Sequence, residues 1–219
     1  FLKSDCPVFM LKGYAGTGKT TLLEGITRYL QSMNMSFRLM APTGRAAKIL
    51  KDRTHHDAYT IHKSIYSFSK LKSLNEENAD DESFRYFFEV DDQKINSRTV
   101  LIIDESSMLT DAVTDNEFFQ FGSGRLLADL IEFSKAVIRE MNNKIIFVGD
   151  PAQLPPVGDN QSKAFDAQYL KNTYGLESRF SELKVVMRQA RSSSISEFAI
   201  DLRDCIDSGY FNYFQPYHD

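Results

Sequence analysis

The sequence is poor in the residues and runs that mark several classes of protein. It has two cysteines, Cys6 and Cys205, and four histidines among 219 residues. The cysteines lie far apart, and neither they nor the histidines follow a metal-ligand spacing, so we expect reduced thiols in a cytoplasmic protein without a structural metal. No apolar run approaches the ~20 residues that cross a bilayer, and no signal peptide opens the chain. We therefore expect no association with a membrane.

The composition is that of a globular protein. Hydrophobic residues make up 42% of the chain and charged residues 26%, which argues against wholesale disorder. The length suits one domain, or one domain with an insertion. Phe1 is not a natural start, so we interpret the chain as part of a longer protein, and we expect it to be monomeric.

The net charge of −4 hides an asymmetry along the chain. Residues 12–72 hold eleven Lys and Arg against three acidic residues, whereas residues 75–92 hold eight acidic residues against Arg85 alone. A locally basic face is what binding to a phosphate backbone requires. A solvated surface would have the same composition, so the charge alone leaves both interpretations open.

Short apolar runs alternate with amphipathic patterns. The runs predict buried strands at residues 8–11, 37–41, 100–103 and 145–148, with a weaker fifth near 183–186. Apolar residues recur at helical spacing through residues 22–33 and 126–141. This alternation favours an α/β fold in which helices cover both faces of a parallel sheet.

Residues 67–98 interrupt the alternation. The stretch is polar and acidic, and an aromatic cluster at residues 84–88 closes it. We interpret it as a small insertion between the second and third core strands, forming a loop or hairpin that is partly mobile. The main domain then comprises residues 1–66 and 99–219.

Residues 13–20 (GYAGTGKT) satisfy the pattern G-x-x-x-x-G-K-[ST] between a predicted strand and a predicted helix. Glycines let the backbone turn tightly, so that successive N–H groups and the helix N-terminus face phosphate oxygens. Lys19 is expected to reach the β- and γ-phosphates of ATP, and the Thr20 hydroxyl to bind Mg²⁺. The predicted nucleotide contacts are Gly13, Ala15, Gly16, Thr17, Gly18, Lys19, Thr20 and Thr21.

Two acids follow the third predicted strand. Asp104 is placed to hold Mg²⁺, and Glu105 is the natural base for the attacking water. A simple strand-end cap is the alternative, but it loses weight beside the phosphate loop. After the fourth strand, Gln153 is placed where an amide could contact the γ-phosphate or the lytic water. Pro155 and Pro156 stiffen the segment that follows.

Six segments, in order, resemble the motifs of the first RecA-like lobe of RecD-like superfamily-one DNA helicases. The specific ones are APTGRAA at residues 41–47 and GDPAQLPP at residues 149–156. The others are residues 13–20, TIH at 60–62, DESSM at 104–108 and MRQ at 187–189. The resemblance implies a P-loop NTPase lobe that uses ATP and Mg²⁺, a second RecA-like lobe in the same full-length chain, and 5′-to-3′ travel on single-stranded DNA.

The resemblance also implies roles for individual residues. Gln153 would sense the γ-phosphate, and Arg188 would add positive charge to the transition state. Contacts to the backbone of single-stranded DNA would come from Thr43, Gly44, Arg45, Thr60 and His62. A surface charge at Arg45 and a partly buried imidazole at His62 are the plainer alternatives.

At the position of residues 67–98, proteins of this family insert a small subdomain that bears a strand-separating pin, so the resemblance implies such a subdomain here. Its aromatic residues could form a wedge or stack on bases, or they could pack as an ordinary hairpin core. The acidity of the segment favours the packing interpretation, because it would repel DNA.

Two departures from the family pattern bear on activity. The family's adenine-reading glutamine segment has no match in the twelve residues before Gly13, and a second lobe is absent from these 219 residues. We therefore expect the lobe alone to bind nucleotide weakly, to hydrolyse it slowly and not to unwind DNA. Other P-loop ATPases (AAA+ proteins or kinases) and a nucleotide-dependent binding module that does not hydrolyse remain alternatives.

Overall fold

A computed structural model describes residues 1–73, 84–114, 116–153, 156, 159, 161–185, 198, 201–202 and 205. Its elements are, along the chain, β1 (Val8–Gly13), α1 (Lys19–Ser32), β2 (Ser36–Ala41), α2 (Gly44–Thr54), β3 (Ala58–Thr60), α3 (Ile61–Ile65), β4 (Tyr66–Ser73), β5 (Phe84–Val90), β6 (Thr99–Ile103), β7 (Phe119–Phe121), α4 (Leu126–Ser134), β8 (Lys144–Gly149), α5 (Ala167–Tyr174) and β9 (Ser178–Leu183). Among the described helices, none is both long and apolar enough to cross a membrane.

Six parallel strands form the main sheet, in the order β3-β2-β6-β8-β1-β9. Every residue of β6 and β8 is buried, as expected for central strands that have helices on both sides. The carboxyl ends of all six strands meet at one edge, where the loops with the predicted motifs begin.

Helices cover both faces of the sheet, as predicted. On one face, Leu23 and Leu30 of α1 and Leu50 of α2 pack in a single cluster with Leu39 of β2 and Val148 of β8. On the other face, residues of α3, α4 and α5 form a second cluster with the opposite side of the same strands. The alternating side chains of each strand therefore supply two separate cores.

A second, three-stranded sheet has the order β4-β5-β7. β4 and β5 are an antiparallel hairpin, with a register shift between Phe68 and Lys70, and β7 joins β5 in parallel. β7 comes from a segment that follows β6, so this sheet includes more of the chain than residues 67–98. Residues 74–83, which are part of the stretch predicted to form a partly mobile loop or hairpin, lie outside the described residues.

The four strong strand predictions are confirmed, but two other predictions need correction. The fifth strand is Ser178–Leu183, earlier in the chain than predicted, and the short strand β3 was missed. The helix predicted for residues 126–141 ends at Ser134, because Lys135 takes a left-handed conformation with φ 51° and the Ser134 Oγ accepts the Ala136 N–H. Val137 and Ile138, which the helical pattern included, are exposed.

Candidate functional site

The glycine-rich loop connects β1 to α1 at the carboxyl edge of the main sheet. Gly16 and Gly18 have φ angles of 81° and 87°, which glycine adopts without strain. A Cβ at Gly13 would lie 2.8 Å from Thr17 Oγ1 and 3.0 Å from the Leu183 Cβ, so this position accepts only a hydrogen. The sequence places glycine where the turn and the close packing require it.

The first turn of α1 is arranged for an anion. Gly18 is its N-cap, with no side-chain cap and no acidic residue in the first turn, so the N–H groups there are not taken up by a side chain of the helix itself. The Lys19 Nζ donates to the carbonyls of Gly13 (2.6 Å) and Tyr14 (3.0 Å). Thr20 is half-buried beside it, and Thr21 and Ala15 are exposed.

Asp104 and Glu105 follow the buried strand β6. Asp104 is only 8% exposed. Burial and the charge of Glu105 raise the pKa of Asp104 to about 6, while the Glu105 N–H and the Lys19 ammonium act in the opposite direction. The Lys19 ammonium is therefore near enough to Asp104 to act on its carboxyl.

Glu105 has a left-handed backbone, with φ 53° and ψ 37°. This conformation costs a residue with a side chain about 1–2 kcal/mol, and such strain is frequent at functional positions. It allows the Glu105 N–H to donate to Asp104 Oδ1 at 3.0 Å, and it turns the chain into the short 3-10 segment Ser106–Met108. Asp104 and Glu105 therefore differ in backbone conformation, as two different roles would require.

Gln153 lies beyond the end of β8, and its Oε1 accepts from the Ser107 Oγ at 3.5 Å. The buried Ser106 Oγ donates to the Ile103 carbonyl at 2.7 Å and accepts from the Val148 N–H at 3.3 Å. These serines join the ends of β6 and β8. Sequence reasoning assigned them no role, although they lie in the segment 104–108 that it had singled out.

Strand order brings the predicted nucleotide residues together. β8 lies between β6 and β1, so Asp104, Gln153 and Lys19 each follow one of three adjacent parallel strands. The alternation of strands and helices did not reveal this order, because it does not say which strands are neighbours.

The residues at this edge suit Mg²⁺ held together with a triphosphate. Carboxylate and hydroxyl oxygens such as those of Asp104 and Thr20 are the ligands that Mg²⁺ prefers, and it normally keeps only one or two protein ligands beside phosphate oxygens and water. The described part of the chain has no group of three or more His, Cys, Asp or Glu side chains that could hold a metal ion.

The residues predicted to contact nucleic acid lie along the same edge, after β2 and β3. Thr43 is the N-cap of α2 and its Oγ1 accepts the Ala46 N–H at 3.2 Å, and Gly44 and Arg45 open the helix, exposed. Thr60 caps α3 in the same way, accepting the Lys63 N–H at 3.2 Å. Since β2 and β3 pair in parallel, the two caps are neighbours.

His62 is partly buried in α3. Its ring lies 5.0 Å from the Phe121 ring and 5.6 Å from the Tyr66 ring, centroid to centroid. Burial lowers the pKa of His62, while the charge of Asp129 acts to raise it, so the imidazole is neutral at pH 7. It can offer a hydrogen bond to a ligand, but not a full charge.

The aromatic residues of the insertion separate onto the two faces of the small sheet. Phe88 packs against the core, stacked on Phe121 at 4.7 Å between centroids. Tyr86 lies on the same face but is 43% exposed, beside Phe119, and Phe87 lies on the other face. Within this aromatic cluster, Phe88 is therefore packed whereas Tyr86 is exposed.

Arg188, which the family resemblance predicted to add positive charge to the transition state, lies outside the described residues.

The sheet, the glycine-rich loop after β1 and the acidic pair after β6 define a P-loop nucleoside triphosphatase with a RecA-like fold. The chain belongs to the AAA_19 family of AAA domains, whose sequence model matches residues 2–159.

Relatives of this chain include DNA helicases. It is 29% identical over 182 residues to Uncharacterized protein R530 of Acanthamoeba polyphaga mimivirus, covering 76% of this chain and 32% of that protein. It is 28% identical over 149 residues to the ATP-dependent RecD2 DNA helicase of Deinococcus radiodurans, covering 68% of this chain and 16% of the helicase.

Among solved structures, the Pif1 helicase of Candida albicans is similar, with a TM-score of 0.53 and 25% identity over 92% of this chain and 40% of the helicase. The chain is thus similar to the N-terminal RecA-like lobe of superfamily-one helicases, which confirms the family inferred from its motifs. It spans about a third or less of the length of the two relatives named above.

Proposed function

We propose that this lobe binds and hydrolyses ATP with Mg²⁺ and contacts the backbone of single-stranded DNA, as one half of an ATP-driven translocase. A second RecA-like lobe of the same protein would complete the nucleotide site. The observation that supports this most strongly is the alignment of Lys19, Gln153 and Asp104 at the ends of three adjacent parallel strands.

Each residue at the nucleotide site has a role that its surroundings support. The α1 N-terminus and Lys19 bind the triphosphate, and Thr20 and Asp104 hold Mg²⁺, which when bound neutralises charge on the phosphates. Glu105 accepts a proton from, and orients, the attacking water. Gln153 lies close to the acidic pair through its contact with Ser107, where its amide can report whether a γ-phosphate is present. Arg188 would add positive charge there.

The DNA contacts are proposed for the neighbouring half of the edge. Thr43 and Thr60 present the N-termini of α2 and α3, and phosphates bind readily at such termini. Gly44 leaves the backbone accessible, Arg45 adds charge, and His62 adds a neutral hydrogen-bonding ring. These residues lie on the same edge of the sheet as the nucleotide residues and next to them. Changes at the nucleotide can therefore alter how tightly the lobe binds the DNA strand. By family resemblance the direction of travel is 5′ to 3′.

Steady-state ATP turnover by the intact protein, with and without single-stranded DNA, tests the proposal. We expect DNA to accelerate turnover. Lys19→Ala and Glu105→Gln should each lower kcat by at least about 100-fold, since each removes a group that acts on the transferred phosphate or the water. Lys171→Ala and Glu132→Gln, on exposed helix faces, are the matched controls and should leave kcat unchanged. Turnover that survives both site substitutions would refute the assignment.

A further inference from the structure

Asp159 joins two segments that come from different strands. Its Oδ2 accepts hydrogen bonds from the Thr110 Oγ1 at 2.7 Å and from the Asp111 N–H at 3.1 Å. We call these two bonds the 110–159 bridge. Thr110 follows the acidic pair by five residues and Asp159 follows Gln153 by six, so the bridge connects the chain beyond Glu105 to the chain beyond Gln153.

The donor side of the bridge, at Asp111, is held by several further hydrogen bonds. The Asp111 side chain is buried, and its Oδ2 accepts from Arg125 at 2.8 Å and from the hydroxyls of Tyr169 and Tyr174. The Arg125 Nε donates to the Asp111 carbonyl at 2.9 Å. Asp111 is thus fixed to α5 and to the residue that precedes α4.

The hydroxyl that donates to Asp159 has a fixed orientation. Thr110 Oγ1 also accepts the Ala112 N–H at 3.0 Å, and the Thr110 carbonyl accepts the Leu127 N–H at 3.1 Å. With one side of the hydroxyl accepting, its proton is directed to Asp159. A side chain at position 110 that can only accept hydrogen bonds would therefore not replace the threonine hydroxyl.

The bridge is stronger than the contact nearer the site. Ser107 to Gln153 is a neutral pair at 3.5 Å, the limit of hydrogen bonding, whereas the bridge is short and has a carboxylate acceptor. Charge-assisted hydrogen bonds are roughly twice as strong as neutral ones. The bridge is therefore the stronger of these two hydrogen-bonded links between the chain beyond Glu105 and the chain beyond β8.

We infer that Asp159 is a positioning residue for the nucleotide site, which holds the segment of Gln153 in register with Asp104 and Glu105. It would act through Gln153, without touching nucleotide or water. The inference rests on the proposed ATP hydrolysis. A displacement of a reacting group by about 1 Å can lower a rate on the order of 100-fold, so loss of such a restraint should be visible in kcat.

The test is steady-state ATP turnover by the intact protein and its variants. Asp159→Ala is expected to lower kcat about tenfold with KM for ATP within about twofold, because positioning for the transition state is lost while ground-state binding is kept. Thr110→Val, which removes one of the two bonds, should lower kcat about threefold. The double variant should be no worse than Asp159→Ala, since both changes break one bridge. Thr110→Ser should restore wild-type kcat.

Asn116→Ala is the matched control. Asn116 also uses its side chain to accept backbone N–H groups, those of Phe118 at 2.9 Å and Phe119 at 3.1 Å, but it lies just before β7 and contacts neither Asp111 nor α5 through these bonds. Its loss should at most lower the melting temperature and should leave kcat unchanged. An equal fall of kcat in this variant, additive effects of the Thr110 and Asp159 substitutions, or an unchanged kcat in Asp159→Ala would each overturn the inference.

Hydrogen–deuterium exchange separates this inference from the proposed function. If the wild-type protein hydrolyses no ATP, the proposed function fails, and the bridge is judged on exchange alone. Asp159→Ala should then speed amide exchange across residues 149–153 relative to Asn116→Ala. Equal exchange in the two variants would overturn the bridge as a restraint on Gln153.

Discussion

At the scale of single residues, the folded structure disfavours the charged form of Asp104. The residue is only 8% exposed, and burial raises the pKa of its carboxyl to about 6, against about 3.9 in an unfolded chain. The folded protein therefore binds the Asp104 proton more tightly than the unfolded chain does. The contribution of Asp104 to the free energy of unfolding is greatest while its carboxyl is protonated, and it falls as the pH rises from about 4 through 6.

Asp104→Asn removes this penalty in the nucleotide-free protein. At pH 8 we expect the free energy of unfolding to rise by about 3 kcal/mol, given a pKa of about 6 in the folded protein against about 3.9 unfolded and ~1.4 kcal/mol for each unit of that difference. The gain should shrink as the pH falls through 6 and vanish near 4. Urea denaturation at several pH values measures it, with Asp52→Asn, exposed on α2, as control. A gain that is independent of pH would contradict the assignment of the cause.

Stability and function oppose each other at this residue. Asn is a poorer Mg²⁺ ligand than a carboxylate, so the stabilised variant should lose ATP turnover under the proposed function. Such opposition is common where a site is strained or buries a charge. The left-handed backbone of Glu105 is a second instance at the next position.

The residues at the candidate site differ in how far the sequence could predict their placement. That Lys19, Asp104 and Gln153 lie at one edge of the sheet was predictable, because each follows a predicted strand of a parallel sheet. The partnership of Thr110 with Asp159 was not, because 49 residues separate them along the chain and neither is part of a short pattern. Only the packing of the loops at the sheet edge brings them together.

At the scale of elements, a buried carboxylate of the main lobe adds hydrogen bonds to the apolar packing that holds the small sheet. Asp129 of α4 accepts from the Tyr66 hydroxyl at 2.5 Å and from the Ser123 N–H and Oγ. Gly122, at the end of β7, packs directly on it. A Cβ there would lie 2.3 Å from Asp129 Oδ2, and the φ of 47° is itself unfavourable for a side chain.

Two glycine substitutions should therefore have opposite signs. Gly122→Ala is expected to lower the free energy of unfolding by about 2–4 kcal/mol, through overpacking and backbone strain. Gly25→Ala lies within α1 with no atom within 4 Å of the added Cβ, so it should raise that free energy by about 0.5–1 kcal/mol. Urea denaturation of both variants provides the measurement. If both variants were destabilised, the close contact between Gly122 and Asp129 would not be what distinguishes the two substitutions.

The elements themselves were predictable in proportion to their length and burial. The buried strands β6 and β8 are continuous apolar runs that only a central position explains. β3 and β7 are three residues each, too short for a periodic signal. Their strand conformation depends on the neighbour they pair with, so it could not be read from the local sequence.

At the scale of the whole molecule, a net charge of −4 is compatible with DNA binding only because the positive charge is concentrated. The eleven basic residues within 12–72 include Arg45, exposed at the start of α2 and next to the Thr43 cap. Acidic residues collect instead in 75–92, beyond α3. A strand following the edge of β2 and β3 would therefore meet positive potential locally, despite the overall sign.

The proposed contact at Arg45 can be measured by the salt dependence of binding. The logarithm of affinity for single-stranded DNA should fall with the logarithm of salt concentration, by about 0.7 for each phosphate contact that releases a counterion. Arg45→Ala should make that slope shallower by about 0.7, whereas Lys171→Ala, exposed on α5, should leave it unchanged. Fluorescence anisotropy from 50 to 300 mM salt gives the slopes. Equal slopes for wild type and Arg45→Ala would remove Arg45 from the path of the strand, and equal losses in both variants would mean that only net charge matters.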